Sequence, residues 1–245
     1  MAKQPHLLVE DGELADVALV PGDPGRVDRI ADHCTDVETV SHNREYKVVN
    51  ATYEGRPVTL CSTGIGAPST AIAVEEMAAV GVERFVRVGT CGALQADIEV
   101  GDMVVANGAA KDEGTTKRYE DVALPAVPDY ETLSALVVAA EDREAGDGGA
   151  VRVGPVATDD AFYAETDEYV AAWEDAGLAA VEMEAAAIFT LARRKGLGAG
   201  AICTVDGNLV AGTQKGETDD DELPEKARNN VGRAIEIALE ATTRL

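Results

Sequence analysis

The sequence predicts an α/β fold in a single domain over residues 1–245. Short apolar runs of strand length alternate with amphipathic stretches of helix length, and turns rich in glycine and proline close the runs. A hydrophobic content of 46% in 245 residues is ample for one sizeable core.

Taken in order, Val17 to Val20 is a short strand that stops at Pro21-Gly22-Asp23-Pro24-Gly25. Tyr46 to Tyr53 and Pro57 to Cys61 read as a hairpin around Glu54-Gly55, followed by an amphipathic helix over Ser69 to Val80. Arg84 to Thr90 is a strand ending in a glycine turn. Asp102 to Asn107 is a strand and Tyr130 to Ala140 a helix. Val151 to Ala157 and Asp167 to Ala176 repeat that pair. Ala179 to Met183 is a strand, Ala185 to Lys195 a helix, Ala199 to Val205 a strand, and Leu223 to Thr243 the closing helix. The polar segments Lys111 to Asp121 and Thr213 to Glu222 are expected to be mobile loops.

Composition narrows the setting. The 45 acidic residues against 21 basic ones give a formal net charge of -24 and a pI of about 4.3, with the acids spread along the chain and only 7 of the basic residues lysine. An acid-coated, lysine-poor surface fits a salt-rich cytoplasm, where a Debye length of about 3 Å at 1 M salt removes the self-repulsion. Nucleic acid and anionic membranes are poor partners for it. The start, Met-Ala-Lys-Gln-Pro-His, lacks a basic segment followed by an apolar one of signal length, and no window is apolar enough to span a membrane, so a cytoplasmic protein is expected. Cys34, Cys61, Cys91 and Cys203 include no Cys-x-x-Cys pair, and the only histidines are His6, His33 and His42. A metal site, a disulfide scaffold and a Ser-His-Asp triad all lack support.

The run Ala179 to Ala187, Ala-Ala-Val-Glu-Met-Glu-Ala-Ala-Ala, places Glu182 and Glu184 in surroundings that ought to be buried. A buried carboxylate costs several kcal/mol unless strong donors meet it, and a sugar diol is a dense source of hydroxyl donors. A solvated helix face is the plainer alternative, but residues two apart on a helix lie about 200° apart, so one of the two would still look inward.

Two strand-end loops suit an oxyanion. Val20-Pro21-Gly22-Asp23-Pro24-Gly25-Arg26 is a fixed turn with Arg26 near the start of a helix. In Arg87-Val88-Gly89-Thr90-Cys91-Gly92-Ala93, alternation puts Arg87 and Gly89 on one face just before the turn, although an Arg paired with an Asp would serve structure alone.

Together these residues match a family. Gly22-Asp23-Pro24-x-Arg26, Ser62-Thr63-Gly64-Ile65-Gly66-Ala67-Pro68-Ser69, Arg87-Val88-Gly89-Thr90, Asp160-Ala161-Phe162-Tyr163 and Val181-Glu182-Met183-Glu184-Ala185 occur in order. The chain closely resembles nucleoside phosphorylases of the uridine phosphorylase and hexameric purine nucleoside phosphorylase type over about residues 6 to 210. The resemblance implies a mixed, twisted, partly barrel-like central sheet flanked by helices. It also implies phosphate-dependent cleavage of a ribonucleoside to free base and ribose 1-phosphate, with no cofactor and inorganic phosphate as co-substrate.

Position by position, the resemblance implies that Gly22, Arg26, Arg87 and Thr90 bind phosphate, with Arg44 completing the site from an adjacent subunit. Met183 and Glu184 would hold the ribose, Glu184 its 2' and 3' hydroxyls, while His6 of the neighbour reaches the 5' hydroxyl. The role of Glu182 stays open between a contact to the sugar or the phosphate and the balancing of a nearby arginine. Phe162 would stack on the base. Such a site implies a symmetric dimer as the smallest active unit, and the family usually builds hexamers from three of them.

Physical chemistry agrees, because an oxocarbenium-like sugar needs only a held phosphate, a fixed ribose and an eased base departure. Arg26, Arg44 and Arg87 favour phosphorolysis over hydrolysis, and an intact phosphate set argues against an inactive binding protein. Bacterial uridine phosphorylases carry a Gln and an Arg shortly after the Phe-Tyr motif. Thr166 and Glu168 stand there instead. A carboxylate accepts from the N1-H and 2-amino group of guanine and repels uracil carbonyls, which inclines the reading to guanosine or inosine, with uridine as the alternative. The Ser-Asp pair of hexameric purine enzymes is replaced by Cys203-Thr204-Val205-Asp206, one position displaced; Asp206 is the candidate acid for the leaving base beside Arg87 as the other catalytic candidate.

Overall fold

The apolar runs fold, in a computed structural model that describes residues 3–143, 149–213 and 225–245, into nine strands and six α-helices among those residues. The strands are β1 (Val17–Leu19), β2 (Thr35–Asn43), β3 (Tyr46–Tyr53), β4 (Arg56–Cys61), β5 (Arg84–Ala93), β6 (Met103–Asp112), β7 (Val151–Asp159), β8 (Ala180–Glu182) and β9 (Gly198–Asn208). They form one sheet in the order β2-β3-β4-β1-β5-β8-β7-β6-β9. Because β9 also pairs with β5, the last five strands of that order close on themselves as a barrel. Parallel and antiparallel pairs are mixed, as the resemblance implies.

Alternation along β5 divides the interior. Phe85 belongs to one buried cluster with Val74 and Met77 of α2 (Ala67–Ala79) and Ile188 and Phe189 of α5 (Ala185–Lys195). Val86 and Val88 belong to a second, with Leu136 of α3 (Tyr130–Asp142) and Ile235 and Leu239 of α6 (Glu225–Thr242). Each such side chain contributes about 1.5–3 kcal/mol by leaving water, so the two clusters dominate the stability of the fold. The remaining helices are α1 (Pro24–Ala31) and α4 (Asp167–Asp175).

The structure corrects three expectations about elements. β2 was not anticipated. Its residues Thr35 to Thr39 are all exposed, so this edge strand carries no alternation to read, and its pairing with β3 is a main-chain matter. β5 does not turn at Gly89-Thr90; pairing with β9 on one side and β8 on the other carries it to Ala93. Lys111 to Asp121 is no loose loop. β6 continues through Asp112, a 3-10 turn spans Thr116–Arg118, and Lys111 Nζ meets Glu120 Oε1 at 2.5 Å, both side chains 2% exposed. Arg193 of α5 donates to the same carboxylate. Of the segment Thr213 to Glu222 only Thr213 lies within the described residues, and it is bridged to Asn208.

Candidate active site

Parallel pairing brings four strand ends to one edge. β1 pairs in parallel with β4 and β5, and β5 with β9, so the chain leaves all four strands on the same side. There lie the Pro21-Gly22 turn, the Ser62 to Gly66 loop, Thr90 and Asp206. Short β8 runs antiparallel to β5 with Val181 opposite Gly92, which delivers Glu182 to the same edge. Carboxyl ends of strands are where open α/β sheets build their sites.

Arg87 stands at the centre of this edge. It is 3% exposed, its Nε donates to Glu182 Oε2 at 2.9 Å and its Nη2 meets Glu184 Oε2 at 2.5 Å. Burial works against the charge on Arg87, but Glu184, Cys203 and Glu182 outweigh it and hold its pKa above the ordinary value. A Cβ at residue 89 would stand 2.7 Å from Arg87 Nη2 and 3.0 Å from Cys203 Sγ, so glycine is what lets the guanidinium lie back along the strand. Cys91 hydrogen-bonds Cys203 beneath it, raising the Cys91 thiol and lowering that of Cys203, to which Arg87 adds.

Arg26 faces Arg87. Its Nη1 donates to Val88 O at 3.2 Å, its buried Nε has no hydrogen-bond partner, and it forms no ion pair among the described residues. Burial and then the neighbouring Arg87 lower its pKa. Two guanidiniums held together, one without an ion pair among the described residues, are chemically suited to an anion. The turn before it contributes less than the sequence suggests, because Asp23 caps α1 by accepting from Gly25 N at 2.9 Å and Arg26 N at 3.0 Å. Gly22 instead accepts from Gly64 N at 3.0 Å, which ties the two loops together. Thr90 is half-buried at the end of this strand face.

The two glutamates have separate surroundings. Glu184, 5% exposed, accepts from Gly66 N at 2.6 Å besides pairing with Arg87. Met183 beside it is half-buried. Glu182 is occupied by the protein itself: Thr158, Arg87 and the amides of Glu184 and Ala185 all donate to it. Of the roles left open for Glu182, balancing an arginine is the one its contacts display.

Asp206 sits in a bulge. Cys91 pairs with Val205 and Gly92 with Gly207, so Asp206 is the extra residue of β9, 6% exposed and close enough to Cys91 to raise its pKa further. A bulge re-aims the side chain it carries.

His6 and Arg44 stand together elsewhere on the chain. His6 Nδ1 and Glu76 Oε1 are 2.6 Å apart, the Glu76 carboxylate also accepts from His6 N and Leu7 N, and the His6 ring lies edge-on to Tyr46. Asn43 Nδ2 donates to His6 O at 2.8 Å, and the next residue, exposed Arg44, tips the β2–β3 hairpin with φ 56°. Among the described residues no hydrogen bond or ion pair joins either to Arg26 or Arg87.

The base-reading set is the loosest. Phe162 lies half-buried in a 3-10 turn, edge-on to the fully open Tyr163. Thr166 is the N-cap of α4, accepting from Tyr169 N at 3.4 Å, and Glu168 is exposed in that helix's first turn, where an acid favours the dipole. Just before Thr166, Glu165 is half-buried, and burial, helped by Asp159, raises its pKa from 4.5 to about 7.

Sequence reasoning missed Thr158, Glu76 and the Gly66 amide. A threonine at a strand end and a glutamate on a helix carry no local signal, and a main-chain donor carries none at all.

Comparison with known proteins identifies the family. The sequence matches the Phosphorylase superfamily over residues 16–243. It is 68% identical, over the whole of both chains, to a guanosine phosphorylase of Halorubrum lacusprofundi. It is 35% identical to a uridine phosphorylase of Escherichia coli over 98% of this chain and 97% of that one. The crystal structure of uridine phosphorylase from Vibrio fischeri ES114 superposes with a TM-score of 0.91 at 34% identity, covering 100% of this chain and 99% of that one. With a family match spanning nearly its whole length and a relative 68% identical over both whole chains, the chain belongs to the phosphorylase superfamily, among the nucleoside phosphorylases.

Proposed function

We propose that this protein is a nucleoside phosphorylase that cleaves the N-glycosidic bond of a purine ribonucleoside, guanosine first, with inorganic phosphate. The observation that carries the reading is the Arg26–Arg87 pair set directly against buried Glu184. A cationic pocket for an oxyanion and a carboxylate for a diol are what an in-line attack on C1' requires.

Phosphate is held by Gly22, Arg26, Arg87 and Thr90, with Arg44 from a second copy of the chain. Its oxygen bonds to C1' as the C1'–N bond breaks, and the bonding pair leaves with the base. Glu184 holds the 2' and 3' hydroxyls, and its charge also favours the developing oxocarbenium. Met183 lines the sugar, and His6 of the second copy reaches the 5' hydroxyl. Asp206, which is buried, is the candidate acid for the departing purine. The products are ribose 1-phosphate and free base, and the steps require neither metal nor organic cofactor.

Phe162 stacks on the base. Thr166 keeps a proton to donate to a 6-oxo group while its oxygen caps α4, and Glu168 accepts from N1-H and the 2-amino group. The name of the 68% identical relative supports guanosine. The uridine phosphorylases at 34–40% identity favour uridine as the second reading. A symmetric dimer is the minimal active unit and a hexamer of three dimers the assembly, supported by the shared footing of His6 and Arg44. The charge of -24 supports a salt-rich cytoplasm as its setting.

Release of free base from guanosine, inosine, adenosine and uridine, with and without phosphate, tests the reading. Phosphate-dependent release from guanosine is expected; release independent of phosphate overturns it, and a preference for uridine replaces the substrate. Glu168→Gln is expected to lower kcat/KM for guanosine about 10-fold and leave adenosine unchanged.

A further inference from the structure

The N-terminus of α5 is capped from an unusual place. Glu184 is its N-cap residue, yet that side chain makes no capping hydrogen bond and points to Gly66 and Arg87 instead. The amides at that end are taken by two residues outside the helix. Glu182 Oε2 accepts from Glu184 N at 2.8 Å and Ala185 N at 2.9 Å, and Thr158 Oγ1 accepts from Ala186 N at 3.0 Å. Thr158 donates its own proton to Glu182 Oε1 at 2.5 Å. Capping by Glu182 therefore releases the carboxylate of Glu184 from the duty its position would impose.

The same oxygen of Glu182 takes Arg87 Nε at 2.9 Å. A carboxylate has about four acceptor positions. With Thr158, Arg87, Glu184 N and Ala185 N in place, those of Glu182 are filled, and a substrate hydroxyl would have to displace a buried partner. The side chain is 1% exposed. Fixing Nε also fixes the guanidinium plane, leaving Nη2 toward Glu184 and Nη1 without a hydrogen bond or ion pair among the described residues.

We infer that Glu182 is a positioning residue, which touches no substrate and sets the distance between Arg87 and Glu184 by holding the side chain of one and the main chain of the other. The inference rests on the proposed function for what those two residues bind, phosphate and the ribose diol. It assigns Thr158 a part as the residue that holds Glu182. In phosphorolysis the gap between nucleophile and C1' is what such a clamp controls, and small displacements of that kind are felt in the chemical step.

The test compares Glu182→Gln and Thr158→Val with wild type on guanosine and 2'-deoxyguanosine at saturating phosphate. Glu182→Gln is expected to lower kcat about 30-fold on both nucleosides, with their KM values and the ratio between the two substrates unchanged within about twofold. Glu184→Gln, by contrast, lowers that ratio. Thr158→Val, which alters no charge and touches no substrate, is expected to lower kcat about fivefold, and the double variant to be no worse than Glu182→Gln alone. A change in the ribose-to-deoxyribose ratio of about 10-fold in Glu182→Gln overturns the inference in favour of direct sugar contact. Retention of kcat within about twofold in both variants overturns it in favour of a purely structural role. Should Glu182→Gln not fold, Thr158→Val decides alone. Phosphate dependence of the wild type is measured alongside, so that failure of the phosphorylase reading shows in wild type and failure of the clamp only in the variants.

Discussion

One guanidinium between two carboxylates defines the residue scale. Arg87 is held at Nε by Glu182 and at Nη2 by Glu184, while Arg26 beside it has no carboxylate of its own among the described residues. Removing Glu184 leaves Arg87 still paired with Glu182, so Glu184→Ala is expected to cost only about 1–2 kcal/mol in stability, whereas under the proposed role of Glu184 as diol ligand it lowers kcat/KM about a thousandfold. Chemical unfolding and steady-state kinetics on one preparation separate the two. Glu165 gives a pH-dependent prediction. Its folded pKa of about 7 lies above the ordinary 4.5, so the protonated form is favoured in the fold. Its contribution is present below about 4.5 and is lost as pH rises through 7. Glu165→Gln is therefore expected to match wild type at pH 4 and to exceed it at pH 8 by about 1 kcal/mol, discounted for a half-open site. Equal unfolding midpoints at pH 8 would refute the assignment.

At the scale of elements, β8 and α5 make the site and the segment after β6 makes the frame. β8 has three residues, yet it places Glu182 against Arg87 and starts the helix that follows. Its brevity is tolerable because Thr158 and Glu182 cap that helix. Farther away, Lys111, Glu120 and Arg193 pin the 3-10 turn to α5. Glu120→Ala leaves the Lys111 ammonium buried without its partner and is expected to lower stability by about 3 kcal/mol, near 10 °C in Tm, with kcat on guanosine kept. Calorimetry and the phosphorolysis assay together check it. The limit of α5 at Lys195 was readable in advance, because Gly196 takes the left-handed conformation with φ 71°. The outline of β2 was not, because an exposed edge strand imposes no pattern on its side chains.

At the scale of the molecule, charge and symmetry govern. A formal charge of -24 on one chain implies self-repulsion that salt relieves, so Tm is expected to rise by more than about 10 °C between 0.1 and 2 M KCl. A flat profile by differential scanning fluorimetry would count against the salt-rich setting. If His6 and Arg44 serve a neighbour, two inactive variants should repair one another. Mixed dimers of Arg44→Ala and Glu184→Ala contain one site with an intact core and an intact partner arm, so about a quarter of wild-type activity should return on co-refolding. No recovery would place Arg44 in its own subunit's site.

The sequence by itself determined the alternation of elements, the acidic surface and the five motifs that mark the family, because hydrophobic period, charge and glycine or proline punctuation are local properties. It also singled out Arg87, Glu182 and Glu184, since a charge inside an apolar run demands a partner wherever the run ends up. Only the tertiary structure decided which partner each charge receives. Closure of β5 onto β9 brought Cys203 under Arg87, the bulge at Asp206 turned that side chain, and the approach of β7 to β8 gave Thr158 to Glu182. Thr158 and Glu182 lie 24 residues apart, and Arg87 and Glu182 lie 95 apart. Pairings at such separations are fixed by strand register, which no local pattern of residues records.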